Sequence, residues 1–338
     1  MKITSGSAAA TGIAAAAMGL TLALACPASA VTAVDSTIAA AAAPVTDVNH
    51  ARFVAHFDAA AGQTVENIAL EPDGSADITF SVSHQVAHVD LDGRTRILAT
   101  LPTPPDGGVH TPVFGQPIAT GIARGNDGTL YVLYAAGSAD MTGVWRLTPG
   151  SSAPEHLVSL PADSLPNGMA LDRRTGTLYI ADSNLSTIWT VPAAGGTATR
   201  WATAPEFAPT VDDIGANGLK VHGGAVWVTN ISYGTIMRVP IGRGGRAGAV
   251  ETRATGLGPV DDFDFTGEGD QILAAIVEGP SQVILVNPDG THSTVLTAAD
   301  GLQNPTSVAV RGRTAYIGSA AYSTGTDPNL IRARLDLR

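Results

Sequence analysis

The chain has 338 residues, 44% of them apolar and only 14% charged, with 38 glycines and 21 prolines. Its formal net charge of −11 argues against nucleic acid or an anionic membrane surface as a partner. A single cysteine, Cys26, excludes an intrachain disulfide, and the glycine and proline content suits an all-β chain with many turns.

Residues 1–30 read as an export signal. Lys2 precedes an Ala-rich apolar run from Ala8 to Ala25, and Pro27-Ala28-Ser29-Ala30 offers an Ala-x-Ala cleavage site. The expected location is therefore secreted, with no membrane association after cleavage. A lipid anchor at Cys26 is the lesser alternative, because Ala23 stands where Leu is usual. Residues 31–50 show no clear periodicity and are expected to be a flexible lead-in, leaving 51–338 as one domain.

From there a unit repeats six times: a polar residue, an apolar run, a turn, a second apolar run. The openings are Glu66, Thr120, Asn167, Asn217, Asp261 and Thr306, spaced 54, 47, 50, 44 and 45 residues apart. A period near 45 built from strands and turns predicts a β-propeller of six four-stranded blades. Third strands are expected at Gln85-Val-Ala-His-Val, Gly143-Val-Trp-Arg-Leu, Thr187–Pro192, Thr235–Pro240, Gln282-Val-Ile-Leu-Val and Asn329–Leu335. Fourth strands follow at Thr95–Leu101, Glu155–Leu160, Thr199–Thr203, Val250–Thr255 and Ser293–Thr297. The sixth unit reaches the chain end without one, while Arg52–Phe57 lies before the first unit with no blade of its own. The N-terminal strand is therefore expected to complete the last blade and close the ring, which hides the sheet edges of an open array.

First strands of a propeller line its central channel, so the six openings are expected to ring one mouth. All six bear oxygen, and none is His or Cys. Oxygen donors with two carboxylates and two amides suit Ca²⁺ or another hard divalent cation better than zinc or copper. Asn, Asp and Thr also cap turns, which is the plainer explanation for any one of them; Glu66, Asn167 and Asp261 together argue for a bound ion. Strand alternation turns Asp262 away from Asp261, so one of that pair is expected to be a spectator. Second strands end at the same mouth, which makes Asp182 and Asn230 candidates for supporting bonds, alongside Thr120 and Thr306. The loop Pro104–Pro112 carries His110 and is long enough to fold over the mouth. No Gly-x-Ser-x-Gly elbow is present.

These motifs resemble the SMP-30/gluconolactonase family of calcium-dependent six-bladed propellers. Glu66 is similar to that family's early metal-binding Glu, and Pro166-Asn167-Gly168-Met169 to its Asn-Gly strand. Pro259-Val260-Asp261-Asp262 is similar to its later Asp strand, with Val260 inserted and Asp262 in place of Gly. The resemblance implies a Ca²⁺ on Glu66, Asn167, Asn217 and Asp261, with either Asp261 or Asp262 in the Asp role. It also implies hydrolysis of a lactone or ester as small-molecule substrate, with Asp261 as the base. The family's substrate-holding Arg has no clear counterpart; Arg124 follows the second blade opening, where ordinary strand-surface placement explains it as well. Two alternatives stand beside the hydrolase. One is a non-catalytic propeller that binds a ligand or protein around a structural cation; the other is a metal-free propeller resembling strictosidine synthase.

Overall fold

The computed structural model describes residues 44–211 and 213–337; the expected export signal, Cys26 and nearly all of the lead-in before Val45 lie outside them. Six antiparallel sheets of four strands form a propeller. Blade 1 holds β2 (Val65–Leu70), β3 (Ala76–Phe80), β4 (Gln85–Val89) and β5 (Thr95–Thr100). Blade 2 holds β6 (Ile118–Arg124), β7 (Leu130–Ala135), β8 (Gly143–Leu147) and β9 (Glu155–Ser159). Blade 3 holds β10 (Pro166–Asp172), β11 (Thr177–Asp182), β12 (Thr187–Pro192) and β13 (Thr199–Thr203). Blade 4 holds β14 (Ala216–His222), β15 (Ala225–Asn230), β16 (Thr235–Pro240) and β17 (Glu251–Ala254). Blade 5 holds β18 (Val260–Phe265), β19 (Ile272–Ile276), β20 (Gln282–Val286) and β21 (His292–Leu296).

Blade 6 is assembled from both ends of the chain. It consists of β22 (Pro305–Arg311), β23 (Thr314–Ser319), β24 (Asn329–Leu337) and, on its outer edge, β1 (Val45–His56). The closing strand is longer than the Arg52–Phe57 piece that sequence suggests. It begins at Val45, inside the stretch expected to be a flexible lead-in, and pairs with β24 from Val45↔Leu337 to His56↔Asn329. Val45 and Val48 supply the reason: both are buried against Leu285, Leu296 and Leu335.

Apolar residues are buried between blades, so the core is a series of layers. Val65, Ile78 and Phe80 of blade 1 pack on Tyr316 and Leu330 of blade 6. Leu133 and Val144 of blade 2 meet Met169 and Ile180 of blade 3, and Trp227 of blade 4 meets Phe263 and Ile276 of blade 5. Ring closure thus buries an apolar face at the chain termini as it does at every other junction.

Candidate functional site

All six first strands share one irregularity, and it falls on the residues that open the units. Register slips between Val65 and Ile68, Ala119 and Ile122, Pro166 and Met169, Ala216 and Leu219, Val260 and Phe263, and Pro305 and Ser307. In blades 1 to 5 two residues therefore face one on the second strand: Glu66-Asn67, Thr120-Gly121, Asn167-Gly168, Asn217-Gly218 and Asp261-Asp262. A β-bulge of this kind bends the strand and re-aims its side chains. Glycine fills the second bulge position where blades approach most closely. A Cβ on Gly121 would lie 2.4 Å from the Asn167 carbonyl oxygen, and one on Gly168 would lie 2.2 Å from that of Asn217.

The bulge overrides simple alternation, so Asp261 and Asp262 are both buried, at 6% and 2% exposure. The Asp262 charge raises the proton affinity of Glu66, and the Glu66 charge raises that of Asp261. Asp262 is no spectator. Lys220 Nζ contacts both of its carboxylate oxygens at 2.7 Å, and Asn67 Nδ2 donates to Oδ2 at 3.2 Å. Among the described residues Asp261 has no such cation. Burial, then the charges of Glu66 and Asp262, push its pKa well above the carboxylate range; the Asn217 amide offsets part of this, and Glu278 adds to it. Glu66 is pushed up to about 7, first by burial and then by the Asp262 charge. The Tyr322 hydroxyl, donating to Glu66 Oε2 at 2.6 Å, works the other way. Tyr322 also shares a hydrogen bond with Ser81 Oγ at 2.7 Å, and its own pKa is raised by burial and by the Glu66 charge.

The structure thus brings Glu66, Asn217 and Asp261 together. Asn167 holds the corresponding bulge position on β10, where it is 5% exposed and makes no side-chain hydrogen bond among the described residues. Two buried carboxylates without a cationic partner among the described residues, with the Asn217 amide at Asp261 and the buried Asn167 amide at the matching position of β10, are a donor set that fits a hard divalent cation. Among the described residues no group of three or more His, Cys, Asp or Glu side chains is disposed to hold a metal. The fit therefore rests on mixed carboxylate and amide oxygens.

Other sequence candidates are committed elsewhere. Thr120 Oγ1 donates to the Pro166 carbonyl at 2.7 Å and Thr306 Oγ1 to that of Val65 at 2.9 Å, so both staple one blade to the next. Thr79, Ser183 and Thr229 do the same at other junctions, the last onto the Asp261 carbonyl at 2.6 Å. Asp182 accepts from the Ser164 hydroxyl, the Trp189 indole and the Leu165, Asn184 and Leu185 backbone amides. Asn230 donates to the Glu206 and Ala208 carbonyls and accepts from Tyr233 N. Both are loop anchors rather than supports of the mouth site. Arg124 closes β6 at the end of the strand remote from Thr120 and pairs with Glu71 at 2.6 Å. The loop carrying His110 packs its backbone on Gly137 of blade 2.

Sequence reasoning missed Tyr322, Glu278 and Lys220. The first two follow the second strands of blades 6 and 5, close to the location that prompted Asp182 and Asn230. Asp182 and Asn230 are the last residues of β11 and β15, whereas Glu278 and Tyr322 lie two and three residues past β19 and β23, so only a search reaching beyond each second strand finds them. Lys220 lies three residues beyond Asn217, and only the bulge makes its contact with Asp262 understandable.

No protein-family model matches the chain, and a sequence search of curated proteins finds no relative. Solved structures do match. Regucalcin from Agrobacterium tumefaciens, described as a calcium-binding protein, superposes with a TM-score of 0.61 at 18% identity, over 87% of this chain and 94% of its own. A gluconolactonase from Xanthomonas campestris gives 0.60 at 15% identity, over 87% and 98%. The chain shares their propeller fold. Virginiamycin B lyase from Staphylococcus aureus also matches, at 0.53 and 15% identity over 81% and 96%. The same scaffold therefore hosts different reactions, and function must be argued from the site.

Proposed function

We propose that this protein is a metal-dependent hydrolase of lactones or related esters, acting at the mouth formed by Glu66, Asn167, Asn217 and Asp261, and that it is exported. The observation that carries this reading is the Glu66–Asp261 pair. Two carboxyl groups, each buried and each raised in proton affinity, stand without a cation among the described residues. Such an arrangement costs stability unless a ligand compensates it, and sites of this kind concentrate where chemistry is done. The likeness to regucalcin and gluconolactonase, slight in sequence, points the same way.

Glu66, Asn167, Asn217 and Asp261 would hold the ion, with Ca²⁺ the cation best suited to all-oxygen donors. When bound, the cation supplies Lewis-acid polarisation of a carbonyl oxygen. Asp261, the carboxylate not held by a lysine, is the group suited to take a proton from an attacking water. Tyr322 orients Glu66 through its 2.6 Å hydrogen bond. Lys220 occupies the Asp262 carboxylate, which favours Asp261 over Asp262 for the Asp role.

Calorimetric titration of the purified protein with calcium chloride, beside Glu66→Gln and Asp261→Asn, tests the reading together with a panel of lactones and esters. The expected result is binding by wild type only, with turnover lost in parallel in both variants. Calcium binding without turnover of any panel member would leave a binding propeller with a structural ion. A wild type that binds no divalent cation would refute the site. Export is tested separately: the protein should appear in culture supernatant with a new N-terminus at Val31.

A further inference from the structure

Lys220 is placed where it alters the charge of the mouth site from behind. Asn217, Gly218 and Lys220 share β14 and face the Asp261-Asp262 bulge of the next blade. Asn217 meets Asp261, as described above. Gly218 makes room, since a Cβ there would lie 2.5 Å from both the Asp262 Cα and its Oδ1. Lys220 extends over the Phe263 ring, 5.7 Å from its centre, and contacts both oxygens of Asp262 at 2.7 Å. The lysine side chain is only about one-fifth exposed (21%), and Asp262 is nearly fully buried. Asp264, the other carboxylate near Lys220, is tied to the backbone amides of Val310 and Phe265 at 2.7 and 2.8 Å. Lys220, Asn67 and Asp264 also line a cavity of about 450 Å³ that holds none of the four proposed ligands.

We propose that Lys220 is the specificity-determining residue of the mouth site: by holding Asp262 in a neutralised pair, it removes one negative charge from beside Asp261 and so favours a divalent over a trivalent cation. This rests on the cation reading above. Asp262 adjoins Asp261, and its charge acts on both Glu66 and Asp261. An unbalanced charge on Asp262, next to Asp261, would favour a more highly charged ion, because attraction grows with the product of the charges. One ammonium in contact with that carboxylate removes the excess. In blades 2, 3 and 4 the position of Asp262 is Gly121, Gly168 and Gly218, so a charge there, and the need to balance it, belongs to blade 5 among these.

Four proteins form a charge series: wild type, Lys220→Met, Asp262→Asn and the double variant. Each is titrated calorimetrically with calcium chloride and with lanthanum chloride. Lys220→Met should bind calcium about tenfold tighter or more, and gain a larger factor for lanthanum. Asp262→Asn, which removes a negative charge adjoining Asp261 and leaves the ammonium with Asp264 nearby, should bind calcium about tenfold weaker or more. The double variant restores the net charge and should fall within roughly threefold of wild type. Lys220→Met breaks a buried pair and can fail to fold; the Asp262→Asn and double variants then give the sign by themselves. Equal affinities across the series would overturn the role of Lys220 while leaving the cation site standing. No binding by any of the four would overturn the cation reading, and this proposal with it.

Discussion

Asp182 and Asp261 are both buried carboxyl groups beside a blade's inner strands, yet they differ in what surrounds them. Asp182 is the hub of a corner in blade 3, with two side chains and three backbone amides donating to it. Fixed donors replace the water it lost, and nothing remains for a ligand to supply. Asp261 faces another buried carboxyl group, a second close by, and one amide that offsets only part of the cost. Burial alone does not mark a functional carboxylate. Burial without compensation does, and the first strand's bulge produces it by turning adjacent residues into one channel.

The largest effect is expected at Asp182. Asp182→Ala would strand five donors and should cost about 4 kcal/mol of stability in urea denaturation. Calcium affinity of the folded variant should stay at the wild-type level; a loss of binding would make Asp182 part of the site. The mouth should show the opposite signature in pH. Glu66 titrates at about 7 when folded, against 4.5 as its ordinary value. Between those limits the folded state binds more protons than the unfolded state, so stability falls as pH rises through about 4.5 to 7. Without cation, this group alone should cost about 3 kcal/mol between pH 4 and pH 8. Glu66→Gln in EDTA should lack that loss, and saturating calcium should suppress it in wild type. A pH dependence unchanged by either treatment would mean that Glu66 is compensated like Asp182. The smallest effect is expected at the staple beneath the site. Thr229→Val removes the bond to the Asp261 carbonyl and should cost about 1 kcal/mol, read as a lower urea midpoint.

Most of the fold was legible because propeller blades repeat locally. Each blade has its own turns and alternating strands, so periodicity reveals it without knowledge of its neighbours. Even closure by the N-terminal strand followed from counting fourth strands. Its start at Val45 did not, because only packing on Leu285 and Leu335 distinguishes an Ala-, Thr- and Val-rich strand from a lead-in. The six opening positions were legible too. What each does was not: Thr120 and Thr306 spend their hydroxyls on neighbouring carbonyls, while Glu66 and Asp261 have none to spend.

By itself, then, the sequence determined the blade count, the strand order and the positions that ring the channel, all properties of short repeated segments. Only the tertiary structure decided which of those oxygens are uncompensated. That depends on residues far apart in the chain, with Tyr322 brought to Glu66 and Asp261 set between Glu66 and Asn217. Lys220 reaches Asp262 across a blade junction in the same way. Hydrogen bonding and charge balance act through space over a few ångströms, and a repeat pattern carries no record of such distances until the ring is closed.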